Sequence, residues 1–223
     1  MLIVRLDIER FRCIRRATLY PAKGNVYLGP NNVGKTAVLE ALNLLLSPEL
    51  GTRGLIDEND FYCRQYRPES AAETPPASPS EHDEPPEESD GPDQSLPSLP
   101  TIRVEAVLTG ITDDDLRDFS GVVVPWDATK REVVESAEEG VDPFAGNETA
   151  IRVCFEGWYD EEEDDFATRS FFRTDPQLSR EESAAFTTKH RRRIGFLIYR
   201  DFRALQRPIT VEPYCHRTFK CGH

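Results

Sequence analysis

Residues 29–36 read Gly-Pro-Asn-Asn-Val-Gly-Lys-Thr, and this stretch decides the fold and function expected of the chain. It fits G-x-x-x-x-G-K-[ST], the pattern of a phosphate-binding P-loop. Glycines at Gly29 and Gly34 let the backbone curl so that successive N–H groups point at phosphate oxygens. Lys35 is expected to bridge the β- and γ-phosphates, and the Thr36 hydroxyl to hold Mg²⁺. The stretch therefore predicts a site for ATP with Mg²⁺.

The sequence on both sides of this loop fits the strand and helix that a P-loop requires. Residues 25–28 are a short β-prone run, and residues 37–46 have the spacing of an apolar helix that ends before Pro48. Two earlier β-prone runs, residues 2–8 and 17–20, predict a β-hairpin ahead of the loop. The alternative to a nucleotide site is a glycine-rich turn before a core helix.

The charge of the chain is unevenly distributed. The formal net charge is −13, and residues 68–100 hold nine acids, nine prolines and no Lys or Arg, which leaves −4 for the rest. Such a segment cannot bury enough apolar surface to offset its chain entropy, so we expect a disordered insertion in a surface loop. The acidic total therefore does not exclude nucleic acid as a partner of the folded part.

The sequence also predicts the compartment. No apolar run approaches the roughly 20 residues that a membrane-spanning helix needs, and charge at Arg5 breaks the N-terminus too early for a signal peptide. Five scattered cysteines fit a reducing compartment better than a disulfide framework. We therefore expect a cytoplasmic protein with no membrane contact.

Two motifs resemble a known group of ATPases. Residues 8–14 fit I-x-x-F-R-x-I, and residues 29–42 fit G-P-N-N-x-G-K-[ST]-x-x-L-E-A-L. This order resembles the N-terminal half of the SMC/RecF/OLD group of ABC-type ATPases. The pair Asn31 and Asn32 is most similar to the OLD (overcoming lysogenization defect) family of ATP-dependent nucleases. The motif resemblance is specific over residues 1–46 and looser beyond.

The resemblance implies a fold, ligands and partners. The implied fold is an α/β P-loop NTPase lobe, ABC/SMC-head-like, with a leading β-hairpin and a β-rich antiparallel second part. It implies ATP and Mg²⁺ as cofactors, DNA as a partner, and a homodimer of the full-length protein. It also places Arg12, together with Asn31 and Asn32, beside the nucleotide. An exposed charge at a strand end is an equally good account of Arg12.

The pattern divides the chain into an ATPase core at 1–67, the acidic insertion at 68–100, a β-rich remainder at 101–209 and an unstructured tail at 210–223. In the remainder, residues 102–108 alternate as a half-buried strand, and Thr112 begins a capping box and a short helix. Further expected elements are a hairpin of 150–159 and 166–174 with an acidic tip, and a short helix from a second box at 179–182.

The catalytic elements of such an ATPase are not recognisable. Residues 122–127 superficially resemble a Walker B strand, but Pro125 is expected to break it and no glutamate follows Asp127. Neither a signature segment nor a Walker B strand occurs in residues 101–223, so the catalytic residues stay unknown. Asp57 to Asp60 are expected to form a solvated turn rather than Mg²⁺ ligands. We expect the N-terminal lobe of a longer protein.

A basic segment provides candidate DNA contacts. Residues 189–207 hold seven basic residues and one acid, a local charge of +6, around an apolar run. We expect a strand and turn whose arginines contact backbone phosphates. Snorkelling arginines on an edge strand, or arginines paired with the protein's own acids, are the alternative. The candidate contacts are Arg191, Arg192, Arg193, Arg200 and Arg203.

Three functions compete on this sequence. The favoured one is the ATP-binding part of an OLD/RecF-like, DNA-associated ATPase or endonuclease. The second is a self-contained nucleotide-binding regulatory module that does not hydrolyse ATP. A GTPase-like switch fits poorly, because Lys130 is not followed by the aspartate of a guanine-reading T-K-x-D motif.

Overall fold

A computed structural model describes residues 1–25, 27–30, 34–49, 55–67, 100–135 and 142–197. The expected insertion at 68–100 lies almost wholly outside the described residues, and the expected tail at 210–223 lies entirely outside them. The strands are β1 (Leu2–Phe11), β2 (Ile14–Leu19), β3 (Ile102–Thr109), β4 (Val123–Asp127), β5 (Glu132–Val133), β6 (Glu148–Asp160) and β7 (Asp165–Phe172). The helices are α1 (Lys35–Leu46), α2 (Asp113–Asp118) and α3 (Thr188–Ile194), with 3₁₀ turns at Glu58–Asp60 and Tyr62–Arg64.

All seven strands form one sheet, and every pairing in it is antiparallel. The order is β2-β1-β3-β6-β4-β5, and β7 pairs with β6 next to β4. The strand β6 has 13 residues, so one of its edges accommodates β4 at Glu148–Ile151 and then β7 at Val153–Asp160. The expected hairpins β1–β2 and β6–β7 are confirmed.

The main core lies between α1 and one face of the sheet. Ala37, Ala41 and Leu45 of α1 pack in one cluster with Ile8 of β1 and Val104 of β3. A register shift in β1 between Ile3 and Arg5 allows both Ile3 and Leu6 to contact this cluster, although three positions separate them.

The opposite face of the sheet is also covered. Val107 packs there with Val124, Trp126 and Ala150, and Glu105 accepts from Arg152 Nε at 2.6 Å. The strand β3 is therefore buried on both faces, not on one as its alternation predicted, because side chains of β4 and β6 cover its second face.

Three local predictions were wrong. Pro125 does not break a strand, because it lies within β4. It stands next to the two residues of β4 that pair with β5, and its carbonyl accepts from Val134 N–H at 3.0 Å. The box at Ser179 forms, with Ser179 N–H donating to Glu182 at 3.1 Å, but only a turn follows it. Tyr27 and Leu28 lie outside any strand and are 39% and 88% exposed, so the expected lead-in strand is not seen in this part of the chain.

The basic segment begins as a helix rather than the expected strand. Thr187 and His190 form a capping box at the start of α3, and Gly195 ends the helix with a left-handed φ of 72°. This local capping explains a helix at residues 188–194, and the apolar run that begins after Gly195 extends outside the described residues. None of the helices in the described ranges is long and apolar enough to cross a membrane.

Candidate functional site

The N-terminus of α1 forms the centre of the candidate site. Gly34 is the N-cap residue with φ 92°, and no side chain among the described residues caps the helix. The first turn contains no acidic residue. The leading amide groups of a helix carry partial positive charge and have no partner within the helix. The N-terminal end of α1, at Lys35 and Thr36, is therefore suited to an anionic ligand.

Gly34 is required by both its backbone and its surroundings. Its φ of 92° lies in the left-handed region, and an added Cβ would meet Cys13 Sγ at 3.3 Å and Ile14 Cγ1 at 3.5 Å. The turn between β1 and β2 therefore packs directly against the start of α1. This contact places Arg12, the neighbour of Cys13, beside the loop.

We expect Gly34→Ala to lower the free energy of unfolding by about 1–2 kcal/mol, the cost of a left-handed backbone for a residue with Cβ. Chemical denaturation measures the change. The matched control is Gly24→Ala, where an added Cβ meets nothing within 4 Å, and a change of less than about 0.5 kcal/mol is expected there. Equal effects at the two positions would contradict the role given to Gly34.

The side chain of Lys35 is folded back over the loop. Its Nζ donates to the carbonyl oxygens of Gly29 at 2.7 Å and Pro30 at 2.5 Å. The ammonium group thus lies next to the segment that the motif assigns to phosphate binding. Asn31 and Asn32, the other predicted loop contacts, lie outside the described residues.

Arg12 is held by carboxylates. Its Nε donates to Asp60 Oδ1 at 2.8 Å, and its guanidinium also pairs with Glu40 of α1. The backbone N–H of Arg12 donates to the backbone carbonyl of Asp60 at 2.7 Å, and the φ of Arg12, 52°, is left-handed. The arginine therefore joins the hairpin to α1 and to the first 3₁₀ turn. The two carboxylates engage Nε and Nη1 of a guanidinium that has five N–H donors, so Arg12 can contact a phosphate through Nη2, as the resemblance implies, while it keeps both carboxylates.

A cleft of about 520 Å³ opens between the hairpin turn and the two 3₁₀ turns. It is lined by Arg12, Cys13, Asp57, Asn59, Asp60, Phe61, Cys63 and Arg64. Asp57 and Asp60 form a capping box in a 3₁₀ turn whose residues 57–59 are exposed, with Asp57 accepting from Asn59 N–H at 2.7 Å. The described residues contain no group of three or more His, Cys, Asp or Glu side chains arranged to hold a metal.

The sequence did not reveal Glu40, Cys63 or Arg64 as parts of this site. Glu40 is the glutamate of the L-E-A-L run that ends the second motif, but nothing in that motif predicts that it pairs with Arg12. Cys63 and Arg64 have φ values of 53° and 57°, and such backbone strain has no sequence signature in residues other than Gly, Asn and Asp.

Two of the predicted DNA contacts have partners inside the protein. Arg191 is 6% exposed, and it donates to Leu45 O at 3.0 Å and to Ser170 Oγ at 2.7 Å. Burial lowers the pKa of this guanidinium. Arg193 Nε donates to Asp115 at 2.6 Å and lies 3.5 Å from Asp118. These two arginines hold α3 to α1, β7 and α2. The burial of Arg191 corrects its assignment as a phosphate contact, whereas Arg193, whose side chain is 38% exposed, stays a prediction.

The remaining candidates differ from these two. Arg192 is exposed on α3, so it stays a prediction as a phosphate contact. Arg200 and Arg203 lie outside the described residues. The basic segment 189–207 thus has one part in α3, where arginines have partners inside the protein, and a second part that lies outside the described residues.

The cap of α3 contains a titratable group. His190 Nδ1 accepts from Thr187 N–H at 3.1 Å, and the ring packs against Phe119, Phe172 and Phe186. Burial and the nearby Lys189 lower the pKa of His190, against a smaller opposing effect of Asp118.

We expect the stabilisation from this cap to depend on pH. Because the pKa of His190 is lower in the folded state, its contribution is complete above the ordinary pKa of about 6.5 and is lost as the pH falls through the folded-state value. Denaturation at about pH 7 and pH 5 measures this, with His190→Gln as the control, since Gln can accept the same N–H without titrating. An equal fall in stability for both proteins would contradict the prediction.

Comparison with known proteins concerns the N-terminal part of the chain. Residues 1–74 match the family described as "Protein of unknown function (DUF2813)". The chain is 47% identical over 49 residues to the Uncharacterized protein YbjD of Escherichia coli strain K12, a match that covers 22% of this chain and 9% of that protein. It is 50% identical over 42 residues to the DNA replication and repair protein RecF of Teredinibacter turnerae, covering 18% and 11%.

These matches are short relative to the proteins compared. The aligned part of the chain spans about a tenth of the length of these curated relatives. The family match includes the β1–β2 hairpin, α1 and the 3₁₀ turns. The part of the chain that matches this family is thus the part that builds the candidate site.

Proposed function

We propose that this chain is the ATP-binding part of a DNA-associated ATPase of the RecF-like group, with Mg²⁺ as cofactor. The observation that carries the proposal is the uncapped start of α1, with Gly34, Lys35 and Thr36 at its first turn. Lys35 Nζ already lies over the loop carbonyls. The ammonium group would form stronger hydrogen bonds with the negatively charged oxygens of a phosphate than with these neutral carbonyls.

The cleft beside the loop favours a nucleotide, rather than a single phosphate ion, as the ligand of the site. It adjoins Gly34 through Cys13 and combines the guanidinium groups of Arg12 and Arg64 with the carboxylates of Asp57 and Asp60. A triphosphate at the start of α1 leaves the nucleoside to be accommodated nearby. The cleft, at about 520 Å³, is large enough for such a group.

Association with DNA is the second part of the proposal. It is supported by the 50% identity over 42 residues to a protein named for DNA replication and repair, and by the resemblance of the two N-terminal motifs to the SMC/RecF/OLD group. A nuclease activity of the OLD type, a homodimer of a longer protein and a role in DNA repair or phage defence are narrower proposals that rest on the motif resemblance.

We propose that the chain binds ATP without rapid turnover, as a regulatory nucleotide module would. Glu40 and Asp60, the carboxylates nearest to Arg12, are held by that arginine and are not free to activate water. Titration calorimetry with ATP·Mg²⁺ on the full chain tests binding, and phosphate release tests turnover. Saturable binding with turnover well below about 1 s⁻¹, the low end for enzymes, is expected. No binding would overturn the proposal, and fast turnover would show that a catalytic acid is present.

A further inference from the structure

The end of the β1–β2 hairpin is strongly basic. Residues 10–16 contain four arginines and no acid. Arg12 is paired with Glu40 and Asp60, and Arg16 lies 3.2 Å from Glu9. Arg10 and Arg15 are exposed, and their side chains make no hydrogen bond or ion pair with any residue in the described ranges. The hairpin therefore presents two guanidinium groups without a counterion from the described chain.

Both arginines flank the turn of the hairpin. The strand register pairs Glu9 with Arg16 and Phe11 with Ile14, and it does not pair Arg10 with Arg15. The ladder is interrupted there, where Arg10 has a left-handed φ of 52°. Two positive charges at the same end of one hairpin repel each other, and a bound anion relieves that repulsion.

Backbone strain is concentrated at the same place. Arg10 and Arg12 have left-handed φ values of 52°, and Cys63 and Arg64 in the adjoining 3₁₀ turn have values of 53° and 57°. These are four of the six non-glycine residues with positive φ in the described ranges. The two segments are in contact, since Phe11 forms a β-bridge with Phe61. Strain of this kind clusters where ligands bind.

We infer that Arg10 and Arg15 bind the phosphodiester backbone of duplex DNA. Exposed guanidinium groups gain little from a single screened anion, whereas each phosphate neutralised on a duplex releases condensed counterions. Such contacts are independent of base sequence. The inference deepens the DNA part of the proposed function, and it does not depend on nucleotide binding. It places the DNA contact on the hairpin beside the loop rather than on α3, where Arg191 and Arg193 bind other parts of the protein.

The test measures affinity of the full chain for a short duplex DNA as a function of salt, starting near 50 mM. The variant is Arg10→Gln/Arg15→Gln. We expect the slope of log K against log salt to become shallower by about two units, one for each phosphate that the variant no longer neutralises. The charge-matched control is Arg117→Gln/Lys130→Gln, whose side chains are 84% and 69% exposed on other elements, and its slope is expected to equal that of the wild type.

Two further measurements separate the alternatives. Arg192→Gln tests α3: a shallower slope for this variant, with an unchanged slope for the hairpin variant, would overturn the hairpin site while leaving DNA association intact. No duplex binding by the wild type near 50 mM salt would overturn DNA association and the hairpin site together. Titration of the hairpin variant with ATP·Mg²⁺ should give the wild-type affinity. A tenfold loss there, with DNA binding unchanged, would assign the arginines to the nucleotide and overturn the inference.

Discussion

Lys35→Ala is expected to weaken ATP·Mg²⁺ binding about a hundredfold. The ammonium group would make two charge-assisted hydrogen bonds to phosphate oxygens, which together contribute about 3 kcal/mol. Titration calorimetry on wild type and variant measures the difference. Lys130→Ala is the control, because it removes the same charge from an exposed side chain far along the chain, and its affinity should not change.

The loss should not come from unfolding. Among the described residues, Lys35 Nζ donates to the exposed loop carbonyls of Gly29 and Pro30 and to no other group, and water can replace it there. We therefore expect Lys35→Ala to change the free energy of unfolding by less than about 1 kcal/mol. Equal ATP affinity for wild type and variant would contradict the placement of the phosphates at the start of α1.

Arg191→Ala is expected to destabilise the fold by about 2–4 kcal/mol. The substitution leaves the carbonyl of buried Leu45 and the hydroxyl of Ser170 without their donor, and the two charge-assisted bonds together contribute about 3–6 kcal/mol. The variant no longer desolvates a buried guanidinium, which offsets part of this cost. It also removes a cation from the C-terminal end of α1, where the helix dipole favours positive charge. Its stacking over Phe186, 5.5 Å from the ring centroid, is removed as well.

Chemical denaturation tests this prediction, with Arg192→Ala as the neighbouring control. Arg192 lies on the same helix and is exposed, so its removal should change stability by less than about 0.5 kcal/mol. If the two variants were equally stable, Arg191 would not be the residue that holds α3 to α1.

The elements that the sequence predicted correctly are those specified by nearby residues. Alternating apolar residues in β1 and β3 marked two strands of the sheet, and the apolar spacing after Thr36 marked α1. Thr112 accepts from Asp115 N–H as the capping box predicted. The hairpin β6–β7 turns at the acidic run between Asp160 and Asp165.

The features that were missed depend on contacts between distant parts of the chain. Arg191 reaches across 146 positions to Leu45, and nothing near it in sequence distinguishes it from the exposed Arg192. The alternation of β3 assigned Glu105 to a solvent-facing side, but Arg152 of β6 and the neighbouring strands bury it. Composition indicated basic character at residues 189–207, and tertiary packing decided which arginines are available.

The site was predictable in its chemistry more than in its geometry. The motif identified Gly34, Lys35 and Thr36, and the structure places them at an uncapped helix start. The carboxylate pair on Arg12 and the cleft with Arg64 could not be inferred, because they require the hairpin turn and the 3₁₀ turns to meet through Phe11 and Phe61. A single antiparallel bridge between residues distant in sequence makes that contact.

Under the proposed function, the amide groups at the start of α1 bind the phosphates of ATP. Backbone amide NMR on the isotope-labelled full chain, titrated with ATP·Mg²⁺, reports on these groups one by one. We expect large, saturable shifts for the N–H signals of Gly34, Lys35 and Thr36, with smaller ones at Cys13 and Arg64 in the adjoining cleft. Saturation that leaves the signals of Gly34 to Thr36 unmoved, or shifts confined to Arg10 and Arg15 on the hairpin, would contradict it.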